Sequence, residues 1–265
     1  MGTCHSRKQY PRGLNVSLES ESMSLYEKYQ DLQIEVRNRV ATVTLNRPEA
    51  RNAINQRLIR ELRSIWDDLA DDPAVNVVLL TGQGKYFSVG GDVKKMSERP
   101  GGDVLEEGEV HDPMISRRLV NRQLELDKPI VCAINGDCIG LAATHALLSD
   151  ISVMSEDARI GDSHVNKAGL VAGDGSTIIW PLLIGVNKAK EYLMRGTLLK
   201  GRDAERIGLV NHCVPAAEVL PKAREIAQEL ADGPTWAIRW TKLSVNQILK
   251  DHANRLVEAS MALEQ

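Results

Sequence analysis

Two glycine-bearing segments carry the residue types and spacing that could do chemistry. The first, Lys85-Tyr86-Phe87-Ser88-Val89-Gly90-Gly91-Asp92-Val93, follows an apolar run and enters a turn. Gly90 and Gly91 lack a Cβ, so the backbone there can approach a ligand closely, and its N–H groups can hold an anion or a polarised carbonyl oxygen. The second, Ala133 to His145 (AINGDCIGLAATH), reads as a strand, a glycine turn and a helix opened by small residues. A helix start offers N–H donors without intrahelical partners and the positive end of the helix dipole. Each segment also has a plain explanation: an ordinary turn for the first, close helix–strand packing for the second. Together they say more, because the C-terminal ends of parallel strands lie on one side of a sheet, where both sets of donors can aim at one atom.

That convergence requires the elements before the segments to be parallel neighbours. Ile34 and Val36, then Ala41, Val43 and Leu45, alternate as a hairpin turning at Asn38-Arg39. Leu58, Ile59, Leu62, Ile65, Trp66 and Leu69 fall at helical spacing, and Asp71-Asp72-Pro73 stops that helix. Val77 to Thr81 is an apolar run typical of a strand buried on both faces. The pattern recurs as a helix over Ile115–Leu126, a strand over Ile130–Ile134, a helix over Gly140–Leu148 and a strand over Asp150–Met154. A fourth strand is expected over Ile207–Cys213, then helices from Pro215 with a break at Asp232-Gly233-Pro234 and a long amphipathic stretch from Trp236 to Leu263. Ser97 to Pro113, rich in Gly, Glu and Asp, is the expected mobile loop. The reading is an α/β fold in three parts: residues 1–23 a disordered tail or leader, 24–214 the α/β core and 215–265 a helical region.

Composition narrows the function classes. The 265 residues are 43% hydrophobic and 26% charged, ordinary for a globular chain, and 33 Lys+Arg against 36 Asp+Glu leave no basic footprint for nucleic acid. No run approaches the roughly 20 apolar residues of a membrane span. Four cysteines (Cys4, Cys132, Cys138, Cys213) are too few for a disulfide scaffold and have no metal-binding spacing. A cytoplasmic protein without metal or nicotinamide or flavin cofactor is expected, with neither nucleic acid nor membrane as partner. Gly2 followed by Ser6, with Cys4 nearby, also fits an acylation pattern that is short and common by chance.

Five colinear stretches carry a family resemblance: LNRPEARNAIN at Leu45–Asn55, YFSVGGDVKKM at Tyr86–Met96, KPIVCAINGDCIG at Lys128–Gly140, SDISVMSEDARIG at Ser149–Gly161 and RGTLLKGRDAERIGLVNHCVP at Arg195–Pro215. The chain resembles the crotonase (enoyl-CoA hydratase/isomerase) superfamily from about Tyr26 onward. The resemblance implies a spiral core of ββα turns with a helical C-terminal oligomerisation region, a homotrimer or dimer of trimers, and an acyl-CoA thioester whose CoA is part of the substrate. By position, the backbone N–H groups of Gly91 and Leu141 would form the oxyanion hole for the thioester enolate. Gly91 stands where Ala is more usual, which is harmless because only the N–H acts. Leu141 replaces a glycine, narrowing the pocket but keeping the donor. Arg51, Ala53 and Asp92 match the substrate-binding region around CoA. The family's final helix packs over a neighbour's CoA site, and the sequence stops short of it at Gln265, so the expectation is either a longer natural chain or an incomplete CoA site.

Hydratases of this family use two glutamates to add water across a double bond; by alignment their positions fall on Thr144, which would line the substrate site, and His164. A threonine cannot act as a base at neutral pH. His164 has the titration range for proton transfer near neutrality, and Asp174 could fix its tautomer, as a similar pair does in the 6-oxocamphor-type β-diketone hydrolases of the superfamily. Here the His-to-Asp spacing is one residue longer. Asp162 and His145 are further polar candidates. Each has a structural alternative: His164 as a loop hydrogen-bonder, Asp174 as the cap of a helix over Ser176–Leu183. Met96, the Gly101–Pro113 loop and Trp180 are expected at the pocket wall. The expectation is a lyase- or isomerase-type enzyme of fatty acid metabolism acting on an acyl-CoA through a stabilised enolate with His164 and Asp174. The alternatives are a CoA-independent β-diketone C–C hydrolase using the same pair, or a non-catalytic subunit.

Overall fold

The computed structural model describes residues 25–91 and 115–264. The leader expected over 1–23, Asp92, Met96 and the loop expected from Ser97 to Pro113 lie outside the described residues. Strands β1 (Leu32–Arg37) and β2 (Val40–Leu45) form the first hairpin. Asn38 and Arg39 turn it at φ 49° and 67°, the left-handed pair whose twist matches that of the flanking strands. Helix α1 (Gln56–Asp71) is capped by Asn55, whose side chain accepts from the Leu58 amide at 2.8 Å. Its face of Leu58, Leu62, Ile65, Trp66 and Leu69 is buried, and Asp72, extended before Pro73, ends it. Then follow β3 (Val77–Gly82), α2 (Ile115–Glu125), β4 (Ile130–Ile134), β5 (Cys138–Ile139), α3 (Leu141–Leu147), β6 (Ile151–Ser155), β7 (Arg159–Gly161) and a π-helical turn at His164–Ala168. The chain continues through α4 (Ser176–Ile184), α5 (Val186–Arg195), β8 (Leu199–Lys200), α6 (Gly201–Arg206), β9 (His212–Val214), α7 (Val219–Asp232) and α8 (Thr235–Glu264).

The main sheet runs β1-β2-β3-β4-β6-β9, antiparallel only in the first hairpin and parallel thereafter. A second sheet, β5-β7-β8, stands beside it. Every residue of β3 is buried because both faces are covered. Val78 and Leu80 join the larger cluster with Leu58, Leu62 and Ile65 of α1. Val77 and Leu79 face the other way, with Val131, Ala133 and Val153, against Val219, Ala223, Ala227 and Ala231 of α7. Alanines every fourth residue let α7 lie close to the sheet. The α/β architecture with C-terminal helices is as expected from the sequence.

Two local expectations are corrected. The strand expected over Ile207–Cys213 is only His212–Val214. Gly208 adopts φ 81°, and the amides of Gly208 and Leu209 donate back to Glu205 and Ala204, so the apolar Leu209-Val210 pair closes α6 into the core instead of pairing in a sheet. Helix α4 is capped by Gly175 at φ 113° with no side-chain bond, so Asp174 is not its cap and its carboxylate turns to other partners. Among the described residues, no helix is long and apolar enough to cross a membrane.

Candidate active site

The two glycine segments do converge. Strands β3 and β4 are parallel neighbours, with Thr81 opposite Ala133, so the chain leaves both at the same sheet edge. Beyond them, the Ser88 amide donates to Asp137 O at 3.0 Å and the Ile139 amide to Ser88 O at 3.1 Å. Gly91 bridges Ile54 in parallel register, with the Ile54 amide donating to Gly90 O at 2.8 Å. Gly90 lies at φ 85°, and a Cβ there would sit 2.7 Å from Ile139 O and 3.8 Å from the Gly140 Cα. Gly90 therefore rests on Ile139-Gly140, next in the chain to one expected donor amide, Gly91, and against the residue that precedes the other, Leu141. Leu141 is the first residue of α3, whose N-cap Gly140 makes no side-chain cap, so its amide belongs to the set that a helix start leaves without intrahelical partners. Gly140 itself (φ 61°, ψ −131°) occupies backbone space that glycine alone enters cheaply.

The Arg51–Ala53 loop is held from beneath by Asn52, whose place within the LNRPEARNAIN motif gave no sign of a separate role. Asn52 is fully buried at φ 55°. Its Oδ1 accepts from the Arg47 amide at 2.9 Å, and its Nδ2 donates to Gln83 O at 3.0 Å and Tyr86 O at 2.8 Å. The side-chain amide thus ties the loop after β2 to the segment after β3. Arg51 stays exposed, its guanidinium 5.8 Å from the centre of the Tyr86 ring, while Ala53 is buried and its carbonyl accepts from Arg47 Nη1.

His164 and Asp174 are also brought together, with Asp162 and Ser176 at their side. His164 Nε2 faces Asp174 Oδ2 at 3.9 Å, a span that one water bonded to both groups can bridge. The same ring edge lies against Gly140, where a Cβ would meet His164 Cε1 at 3.2 Å and Asp174 Oδ2 at 3.9 Å. The imidazole thus sits beside the residue that introduces the Leu141 amide. The tautomer-fixing contact expected of Asp174 belongs instead to Asp162: its Oδ1 lies 2.8 Å from His164 Nδ1 and accepts from the His164 amide at 3.0 Å. The sequence reading favours Asp174, whereas the carboxylate at Nδ1 is the one only two residues away, just after β7. Burial alone would push the Asp162 carboxyl up, but the hydrogen bonds and charge of His164 and the bond from Ser176 hold it below the usual carboxylate range. Thr144 is fully buried, and its hydroxyl donates to Asp174 Oδ1 at 3.4 Å.

The remaining candidates fall elsewhere. His145 points into the core, its Nδ1 2.6 Å from Gln123 Oε1 and its ring stacked on Trp66. Burial drops its pKa to about 4, so it is neutral near pH 7, and its ring meets Gln123 and Trp66. Trp180 is completely buried against Tyr192 and belongs to the core, not to a pocket wall. Asp162, His164 and Asp174 carry ligand atoms all within 4.8 Å of one another, residue types that bind divalent ions. Asp162 Oδ1 and His164 Nδ1 already meet at hydrogen-bonding distance, which commits that pair to each other. The arrangement is better suited to moving a proton: an imidazole between two carboxylates, beside two backbone donors.

The sequence model described as enoyl-CoA hydratase/isomerase matches residues 35–264. The chain is 38% identical over 211 residues to a putative enoyl-CoA hydratase of Thermus thermophilus, covering 80% of this chain and 81% of that protein. It is 32% identical over 215 residues to the short-chain-enoyl-CoA hydratase of Clostridium acetobutylicum, covering 81% and 80%. Among solved structures, an enoyl-CoA hydratase/isomerase from Mycobacterium paratuberculosis superposes with a TM-score of 0.83 at 30% identity, over 90% of this chain and 94% of that one.

Proposed function

Since the chain belongs to the enoyl-CoA hydratase/isomerase family, we propose that it acts on an acyl-CoA thioester whose enolate oxygen is held by the Gly91 and Leu141 amides while His164 and Asp174 handle the proton. The observation that carries this reading is the seating of the His164 ring edge on Gly140, next to the first amide of α3. An enolate forms when a proton leaves the carbon beside the thioester carbonyl, and the negative charge then gathers on oxygen. Preorganised backbone donors at that oxygen stabilise the charge as it develops, and the positive end of a helix adds to the effect. A base must stand a few ångströms away, at the carbon, and the imidazole beside Gly140 is the group that this reading assigns to it.

In hydration the same two groups would hold the water. Nε2 and Asp174 Oδ2, 3.9 Å apart, would accept the two hydrogens of one water. As the water oxygen bonds to the β-carbon, one proton passes to Nε2 and the double-bond pair moves into the enolate, which then takes that proton at the α-carbon. Thr144 supports this by fixing Asp174 Oδ1. Arg51 and Ala53, on the loop that Asn52 braces, would contact the CoA moiety. Calorimetric titration with acetoacetyl-CoA against free CoA tests the assignment. Acetoacetyl-CoA enolises readily, so it should bind at least tenfold more tightly than CoA. Equal affinity, or no affinity for either, would remove the enolate site.

A further inference from the structure

We propose that Asp162 and Ser176 are positioning residues that hold His164 as the Nδ1–H tautomer, leaving Nε2 as the proton acceptor, and that clamp the two arms of the site together. The inference rests on the proposed role of His164 but is carried by separate contacts. Asp162 has no exposed side-chain surface and receives three donors: the His164 amide at 3.0 Å, His164 Nδ1 at 2.8 Å and Ser176 Oγ at 2.7 Å. An ionised carboxylate only accepts, so Nδ1 must donate to it and the lone pair of the neutral ring falls on Nε2. Nε2 is the nitrogen that faces Asp174.

Ser176 gives the second half of the argument. It is fully buried at the first turn of α4, two residues beyond Asp174, while Asp162 lies two residues before His164. The Ser176–Asp162 bond therefore joins the chain bearing Asp174 to the chain bearing His164, across a separation of 14 residues. Thr144 Oγ1, 3.5 Å from Ser176 Oγ and 3.4 Å from Asp174 Oδ1, ties α3 into the same knot. Among the described residues, the carboxylates of Asp162 and Asp174 face the imidazole, one at each nitrogen. The two carboxylates therefore divide the work, Asp162 orienting the ring while Asp174 shares its proton-accepting side.

The test reads the tautomer directly and needs no substrate. Nitrogen-15 NMR of the histidine-labelled protein at pH 8 should show His164 protonated at Nδ1 and bare at Nε2, against the preference of free histidine. A wild-type His164 protonated at Nε2 would overturn the proposal whatever any variant does. In Asp162→Asn the amide can donate to Nδ1, and the proton should move to Nε2. Catalysed exchange of the acyl-CoA α-proton should then fall about 10²- to 10⁴-fold with binding of acetoacetyl-CoA retained. Ser176→Ala should keep the tautomer and lose severalfold in exchange. A folded Asp162→Asn with an unchanged tautomer and exchange within twofold of wild type would also overturn it. If no acyl-CoA is turned over yet the Nδ1–H tautomer is present, the positioning stands and the proposed substrate falls.

Discussion

Acid should unfold this protein partly through His145, a residue outside the site. The residue is 3% exposed, and burial lowers its pKa from 6.5 to about 4. Above pH 6.5 the imidazole is neutral in folded and unfolded chains alike and has no effect on stability. As pH falls below 6.5 the unfolded chain takes up the proton while the folded one does not, so stability drops by about 1.4 kcal/mol per unit until the folded group also titrates. The gap between 6.5 and about 4 sets a ceiling of about 3 kcal/mol, most of it already lost at pH 4.5. Urea unfolding at pH 7.5 and pH 4.5 measures the loss for wild type and for His145→Gln, which keeps a hydrogen-bonding group for Gln123. Other groups titrate in both proteins and cancel, so wild type should lose about 2 to 3 kcal/mol more than the variant. Equal losses within about 0.5 kcal/mol would refute the argument.

Three further substitutions test the packing beneath the site. Gly140→Ala places a methyl group 3.2 Å from His164 Cε1 in backbone space closed to alanine; it should cost about 1–3 kcal/mol, lower Tm by several degrees and weaken α-proton exchange. Asn52→Ala leaves the Arg47 amide and the Gln83 and Tyr86 carbonyls without this partner, a loss of about 1–3 kcal/mol that denaturant unfolding will read, accompanied by weaker CoA binding. Ala227→Leu forces a larger side chain between α7 and the sheet at a fully buried position; it should destabilise by about 1–3 kcal/mol while leaving the His164 tautomer as it was.

The parts of the fold visible in the sequence were those set by local patterning. The Asn38-Arg39 hairpin, the apolar stripe of α1, the doubly buried β3 and β4 and the break at Gly233-Pro234 all follow from residue period and turn chemistry. What stayed hidden depended on tertiary partners. The two- and three-residue strands β5, β7 and β8 are too short to have a period, and each exists because a neighbour supplies its hydrogen bonds. The apolar run at Ile207–Val210 has the composition of a strand, but Gly208 turns it inward. In the site, the glycine segments could be found because an absent Cβ is itself a signal, and His164 was reached through the family resemblance, which put it at a glutamate position. The division of labour between Asp162 and Asp174 could not be read, since it depends on which carboxylate meets which ring nitrogen. Nothing in Ser176 marked it before α4 was placed against β7.

The central claim is that an acyl-CoA enolate forms between two backbone amides and His164. Incubation of a saturated acyl-CoA with the protein in deuterated water, followed by mass spectrometry of the thioester, measures this with no need to know the physiological acyl group. Deuterium should enter at the α-carbon with wild type, and the exchange rate should fall at least a hundredfold with His164→Ala, while that variant still binds acetoacetyl-CoA. A bound thioester that gains no deuterium, or one that exchanges equally with His164→Ala, would contradict the account.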